Sequence, residues 1–205
     1  MKKKLNIGLI GMGFMGKAHS NAWSQLNKFF DVDYEICLKA IADSNGTHLE
    51  EFAQRWGFES FTTDWHTLIE RDDIDVIDIV TPTFLHKEMA IAAMKAGKHV
   101  LCEKPCALSS KDCHEMAEVA KEMGVVTYLN HNYRRVPAVT YAKKMIEEGK
   151  LGTIYHYRGT YLQEWIMDEN FPLTWQLKKE TAGGRGSMIL PHIIQTWQDI
   201  SWENR

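Results

Sequence analysis

Three groups of residues in this 205-residue chain have the types and spacing to do chemistry. Gly11-Met12-Gly13-Phe14-Met15-Gly16 follows directly on the apolar run Leu5 to Ile10 and spells G-x-G-x-x-G at the junction of a strand and a helix, the context in which the motif cradles a pyrophosphate. Gly11 makes the tight turn, Gly13 lets the backbone approach the phosphates, and Gly16 lets helix and strand pack closely. Phe14 and Met15 complete the loop, and the phosphates would rest on free N–H groups at the positive helix end. Asp43 closes the second strand, where a carboxylate accepts hydrogen bonds from both hydroxyls of an adenine ribose and repels a phosphate there, favouring NAD over NADP. Its distance from the glycines exceeds the usual spacing of about twenty residues, and Asp31-Val32-Asp33-Tyr34-Glu35 reads as the surface extension responsible. The same Asp43 also fits a cap for the next helix. Glu103-Lys104-Pro105 comes straight after a buried strand ending at Cys102. A half-desolvated lysine in a proline turn can orient a substrate hydroxyl and help its proton leave while hydride departs from the same carbon. Taken alone, these three residues also fit a solvated surface turn.

Positioning these groups requires strands that alternate with helices. Leu5 to Ile10, Ile36 to Ala42, Val76 to Val80, His99 to Cys102 and Val125 to Leu129 read as strands. Met15 to Leu26 (striped by Ala18, Ala22 and Leu26), Leu49 to Trp56, a short turn at Leu68-Ile69, Glu88 to Ala96 and Ser110 to Met123 read as helices. The alternation predicts an α/β fold, a Rossmann-type doubly wound parallel sheet whose ligands bind at the carboxyl ends of the strands. Residues 1–129 form this dinucleotide-binding domain. Residues 130–205 begin a second domain, with a helix over Thr140 to Glu148 and a strand over Ile154 to Leu162 that puts Tyr155, Tyr157 and Tyr161 on one side. Trp165 and Trp175 have aromatic faces on which a sugar stacks, although packing in a core or interface is their more general role.

A net charge of −3 gives no basic stripe for nucleic acid or an anionic membrane. No apolar stretch reaches membrane-spanning length, and the amino end lacks a cleavage site for a signal peptide. The four cysteines and nine histidines have no metal-ligand spacing, and reduced thiols suit a cytoplasmic protein.

Several separated motifs together resemble the glucose-fructose oxidoreductase and inositol dehydrogenase (Gfo/Idh/MocA) family: Gly11 to Gly16 with His19, Thr81-Pro82-Thr83 with His86, Ala96-Gly97-Lys98-His99-Val100, Glu103-Lys104-Pro105, Asn132-Tyr133-Arg134-Arg135 with Pro137, and Glu148-Gly149-Lys150-Leu151-Gly152. The resemblance covers about the first 180 residues. It implies an NAD(P)-dependent oxidoreductase acting on a sugar, inositol or related polyol, with Lys104 near the reacting hydroxyl and a cis Lys104-Pro105 bond. It implies that Thr81, Thr83, His86 and Glu103 line the nicotinamide half of the cleft, His86 having the alternative of capping a helix or filling a polar gap. The resemblance further implies that the second domain, begun at 130–205, is α+β with an open sheet and that intact members are usually homo-oligomers.

The chain then departs from the family pattern, which continues for over a hundred residues beyond a D-x-G-x-H motif whose Asp and His work beside the lysine. After Gly183-Gly184-Arg185-Gly186-Ser187, Met188 stands where the carboxylate belongs, and a thioether neither orients an imidazole nor carries charge. Read in the other frame, the codons from Met188 permit D-L-A-S-H-Y-S-D-M-A-R-Y-L-V-G-E, which restores the Asp and His of that motif at i, i+4. The sequence thus predicts a frame change near Gly183 to Ser187, with His192 a coincidence of the shifted frame and a truncated second domain whose unpaired edge aggregates. Three classes follow: a polyol or sugar dehydrogenase crippled in this form, a dinucleotide-binding module without chemistry, and a non-functional remnant.

Overall fold

The amino-terminal part alternates strand and helix throughout: β1 (Lys3–Ile10), α1 (Phe14–Phe29), β2 (Tyr34–Ala42), α2 (Leu49–Trp56), β3 (Ser60–Thr62), α3 (Trp65–Ile69), β4 (Val76–Ile79), α4 (Thr83–Lys95), β5 (His99–Glu103), α5 (Ser110–Met123) and β6 (Thr127–Asn130). The computed structural model describes residues 2–156, 158–160, 162, 164 and 166–183. The six strands form one sheet in the order β3-β2-β1-β4-β5-β6, and β1 pairs in parallel with both β2 and β4. This is the doubly wound order, whose winding reverses between β1 and β4 and opens a crevice at the strand ends there. The chain divides into two units, Met1–Leu129 and Asn130–Arg205.

Both faces of the sheet are covered, which is why its central strands read as continuous apolar runs. Ile10, Ile77, Ile79, Val100 and Cys102 pack with Leu68, Met89, Ala93 and Met116 on one face. On the other, Ile7, Leu9, Ile41, Val76 and Val80 pack with Leu49, Phe52, Met15 and Trp23. Side chains alternate along a strand, so Asp78, between the inward pairs of β4, belongs to the second face. Leu101 is its register partner on β5, and Glu103, two residues further, faces the same way.

The helices differ in detail from the sequence expectation. α1 turns Gly16, His19 and Ser20 inward, with Trp23 packed on the same core, while Ala18 and Ala22 are exposed. Two polar side chains, rather than the alanine stripe, thus orient this helix. α2 has the expected limits and stops at Gly57, whose φ of 79° is left-handed, a conformation glycine adopts without a Cβ penalty. α4 begins at Thr83, five residues before the expected Glu88, because Pro82 sits at its N-cap and sets the entering backbone; His86 therefore lies within the helix. β3, three residues long, is too short to show a period.

The second unit holds a 3-10 turn (Asn132–Arg135), α6 (Pro137–Glu147), a 3-10 turn at Trp175–Leu177 and α7 (Lys179–Ala182). The strand expected over Ile154 to Leu162 is not found at its described residues. Strands exist through their ladders, and no described residue pairs with this segment; Tyr155 is 92% exposed. Tyr157, Tyr161, Trp165, Met188 and His192 lie outside the described residues. Trp175 is half-buried and its carbonyl accepts the Thr181 hydroxyl at 2.6 Å. Among the described residues no helix is long and apolar enough to cross a membrane.

Lys98 is buried, with its ammonium donating to the carbonyls of Arg71 at 2.6 Å and Ile74 at 3.0 Å. It closes the loop before β4. Lys98→Met leaves two buried carbonyls without a donor and is expected to cost about 1–3 kcal/mol, read as a lower midpoint in urea denaturation; an unchanged midpoint would assign those carbonyls another donor.

Candidate functional site

The loops that follow β1, β2, β4 and β5 gather the sequence-singled residues at one edge of the sheet. Gly11 leaves β1 with φ +113°, and its N–H donates to the Ala42 carbonyl at 2.8 Å, tying the glycine loop to the end of β2. A Cβ on Gly16 would run into the Gly11 carbonyl oxygen, so the first turn of α1 crosses the loop as closely as backbone permits. Gly13 is different. It forms the N-cap of α1 without any side-chain cap, and a Cβ built there finds no atom within 4 Å. The space beside Gly13 is open, and the helix's first N–H groups face it with no side chain satisfying them. Phe14 is 84% exposed and Met15 half-buried.

Asp43 sits just beyond β2. Its Oδ2 accepts the Met12 N–H at 2.8 Å and its Oδ1 the Asn45 N–H at 2.8 Å. The carboxylate thus joins the glycine loop to its own turn. It does not cap α2, whose N-cap residue is His48. From β4, Thr81 is half-buried with its hydroxyl toward Met89 Sδ at 3.6 Å, and the buried Thr83 opens α4 with its Oγ1 unpaired. From β5, Lys104 is half-buried, its N–H donates to Glu103 Oε2 at 3.1 Å, and the Lys104–Pro105 peptide is cis.

Beneath this edge lies a buried polar chain. Asp78, in the centre strand β4, is 0% exposed. His19 Nδ1 lies 2.9 and 3.0 Å from its two oxygens, and the Trp23 indole donates to its Oδ2 at 2.7 Å. On the far side of the ring, Nε2 lies 3.1 Å from Glu103 Oε1. Burial works against a charge on His19, but the hydrogen bonds to Asp78 and Glu103 and their negative charges outweigh it and raise the imidazole to about 9. A ring held between two carboxylates in this way favours the doubly protonated imidazolium, whose two N–H groups would donate to acceptors on either side.

His86 stands between two loops of this edge. It is buried, with Nδ1 2.8 Å from the Pro105 carbonyl and Nε2 2.8 Å from the Thr81 carbonyl. It fastens the loop after β5 to the loop after β4, nearer to the polar-gap alternative. Burial lowers its pKa, against the two carbonyls and the Glu103 charge that favour the proton. Glu103 is likewise 5% exposed, with Oε1 toward the His19 ring. The sequence reading missed Asp78 and Trp23 and gave His19 no role. The signal was present: a lone carboxylate inside Val76-Ile77-Asp78-Ile79-Val80 must be paired to be buried. Nearby, Cys106 has its thiol pushed up to about 12, first by burial and then by hydrogen bonding to Cys113. Among the described residues no group of three or more His, Cys, Asp or Glu could hold a metal ion.

Comparison with known proteins extends this geometry. Residues 5–131 match the model of an oxidoreductase family with an NAD-binding Rossmann fold. Residues 139–201 match the model of the GFO/IDH/MocA C-terminal domain, in the frame as written and across the stretch after Gly183. A levoglucosan dehydrogenase from Pseudarthrobacter phenanthrenivorans is 47% identical over 194 residues, covering 94% of this chain and 50% of the relative. A 2,7-anhydro-N-acetylneuraminate hydratase from Escherichia coli is 32% identical over 181 residues, covering 88% and 45%. The solved structure of levoglucosan dehydrogenase with NADH and levoglucosan superposes with a TM-score of 0.92 at 46% identity, over 97% of this chain and 54% of that one. The chain spans about half the length of the curated relatives it matches.

The two histidines give stability a pH optimum. His19, raised to about 9 from 6.5, stabilises the fold fully below pH 6.5 and loses that contribution as pH rises through 9, on the order of 3 kcal/mol in total. His86, lowered by burial, opposes folding once pH falls below 6.5 and the unfolded chain takes up its proton. Urea denaturation from pH 5 to 10 is expected to give maximal stability near pH 6.5, declining on both sides; a flat profile from pH 7 to 9.5 would contradict the charged His19. Gly16→Ala is expected to lower stability by about 1–3 kcal/mol through overpacking, whereas Gly13→Ala should melt with the unaltered chain.

Proposed function

The chain belongs to the Gfo/Idh/MocA family of oxidoreductases, and from that premise we propose that it carries the cofactor half of an NAD-dependent dehydrogenase acting on a CH–OH group of a sugar or related polyol. One observation carries the reading. The open backbone at Gly13 heads a 16-residue helix, and the Asp43 carboxylate is anchored within one hydrogen bond of the same loop. The pair fits the two ends of an adenosine diphosphate moiety: N–H groups at a helix N-terminus for the pyrophosphate, and a carboxylate for the ribose hydroxyls.

These residues fit the nicotinamide dinucleotide. Bound there, it would supply hydride acceptance from carbon. Gly11, Gly13, Phe14, Met15 and Gly16 would hold the phosphates, and Asp43 the ribose, with preference for NAD over NADP because a 2′-phosphate would meet the carboxylate. Thr81 and Thr83, at the end of β4 and the start of α4, would border the nicotinamide side. Lys104 would hydrogen-bond the substrate hydroxyl and ease departure of its proton. The levoglucosan dehydrogenase relative supports an anhydro-sugar or similar polyol as substrate. Turnover is proposed for the whole protein, since the chain spans half its relatives. A dinucleotide-binding module without chemistry is the second reading, favoured by Met188 in place of the carboxylate that the family pattern puts beside the lysine.

Calorimetric titration of the chain tests the binding step. NAD is expected to bind more tightly than NADP, Asp43→Ala to weaken NAD about tenfold or more, and Gly13→Val to abolish binding without loss of fold; equal affinity in all three proteins would contradict the site. NADH formation with levoglucosan and a panel of polyols separates the two readings. A dehydrogenase turns over and loses at least 100-fold in kcat with Lys104→Met, typical of a lost proton-transfer group, while a module gives binding without turnover. Sequencing the coding DNA across the codons of Leu177 to Arg205 decides the frame: a single-base disagreement near Gly183 to Ser187 supports the frame change, and its absence makes Met188 genuine.

A further inference from the structure

The polar chain under the site runs without a break, with donors and acceptors alternating along it. The Trp23 indole donates to Asp78, Asp78 accepts from His19, His19 donates on to Glu103 Oε1, and Glu103 Oε2 accepts the main-chain N–H of Lys104. On the other side of Lys104, the Pro105 carbonyl faces His86, which also reaches the Thr81 carbonyl. We infer that Trp23, Asp78 and His19 are positioning residues that set Glu103 and, through it, the backbone from which Lys104 projects, with His86 fastening the opposite side of the same turn. The inference rests on the role proposed for Lys104.

Burying Asp78 would by itself require partners for Asp78 alone, and Trp23 and His19 Nδ1 already supply them. The second half of the chain goes further. Glu103 uses one oxygen on a buried ring and the other on the residue that follows it, so a carboxylate at a strand end becomes a strut between α1 and the Lys104 backbone. Each element contributes rigid points: α1 the indole and imidazole, β4 a carboxylate at its centre, β5 a carboxylate at its end. Groups facing the imidazole include Asp78 from β4 and Glu103 from β5, with His86 of α4 beyond Glu103. A fully paired network of this kind rigidifies its surroundings, and a lysine that must meet one hydroxyl benefits from a backbone already in place. Glutamine at position 103 has one acceptor oxygen and serves either His19 or the Lys104 N–H, not both.

The test uses the full chain, labelled with ¹⁵N and ¹³C, and needs no turnover. NMR at pH 7.5 is expected to show His19 with both ring nitrogens protonated. In Glu103→Gln the His19 midpoint is expected to fall by at least one pH unit, and the Lys104 amide to exchange with solvent at least tenfold faster while amides in β1 keep their rates. Trp23→Phe keeps most of the ring volume, removes one donor to Asp78, and is expected to speed Lys104 exchange two- to fivefold; it decides the matter should Glu103→Gln fail to fold. A neutral His19 at pH 7.5, or Lys104 exchange unchanged in the folded variants, would overturn the inference. Absence of NAD binding by the unaltered chain would instead contradict the proposed function and leave these readings intact.

Discussion

An aspartate with no solvent exposure, set at the centre of a parallel sheet, is the constraint around which this edge of the molecule is arranged. An ionised carboxylate in such a place is tolerated when charge and hydrogen bonds meet it. The pleat decides where they come from: Asp78 shares a face with Glu103, and the helix over that face is α1. His19 and Trp23 therefore stand one turn apart on the inner side of α1. The alanines lie outward, and the helix that begins at the glycine loop is locked in rotation by the pairing of two carboxylates with one imidazolium.

That lock bears on the loop as well as on the lysine. Because α1 is fixed by His19 and Trp23 and crosses the Gly11 carbonyl at Gly16, its first N–H groups have one direction left, toward the open space at Gly13. Asp43 ties the loop to β2 from the other side through Met12. The edge is thus built from a few strong tethers between neighbouring strand ends. The apolar packing of the opposite face, where Ile77, Ile79 and Val100 meet α4 and α5, supplies a rigid platform.

Much of this was legible in order of residue spacing. The glycine pattern, the strand-helix alternation and the stop at Gly57 depend on local chemistry, and the family motifs pointed to the match over residues 5–131. What escaped the sequence was whatever depends on contacts far apart in the chain. Asp78 and Glu103 become neighbours of His19 through strand order and register, so a carboxylate passed over within an apolar strand proved to be the anchor of α1. His86 was given to the cleft by the family resemblance, with a polar gap as its alternative; Pro82 at the N-cap of α4 sets it within the helix, bonded to two carbonyls. The strand expected after Ile154 rested on alternation alone, and alternation without a pairing partner does not make a ladder.

The most direct measurement is a backbone amide chemical-shift map of the full chain titrated with NAD. The account expects the large changes to fall on Met12 to Gly16, on Asp43 to Asn45, and on the turns at Thr81 to Thr83 and Glu103 to Pro105, four segments joined only by the carboxyl edge of the sheet. Shifts confined elsewhere, or none at saturating NAD, would contradict the claim that this tethered edge is a dinucleotide site.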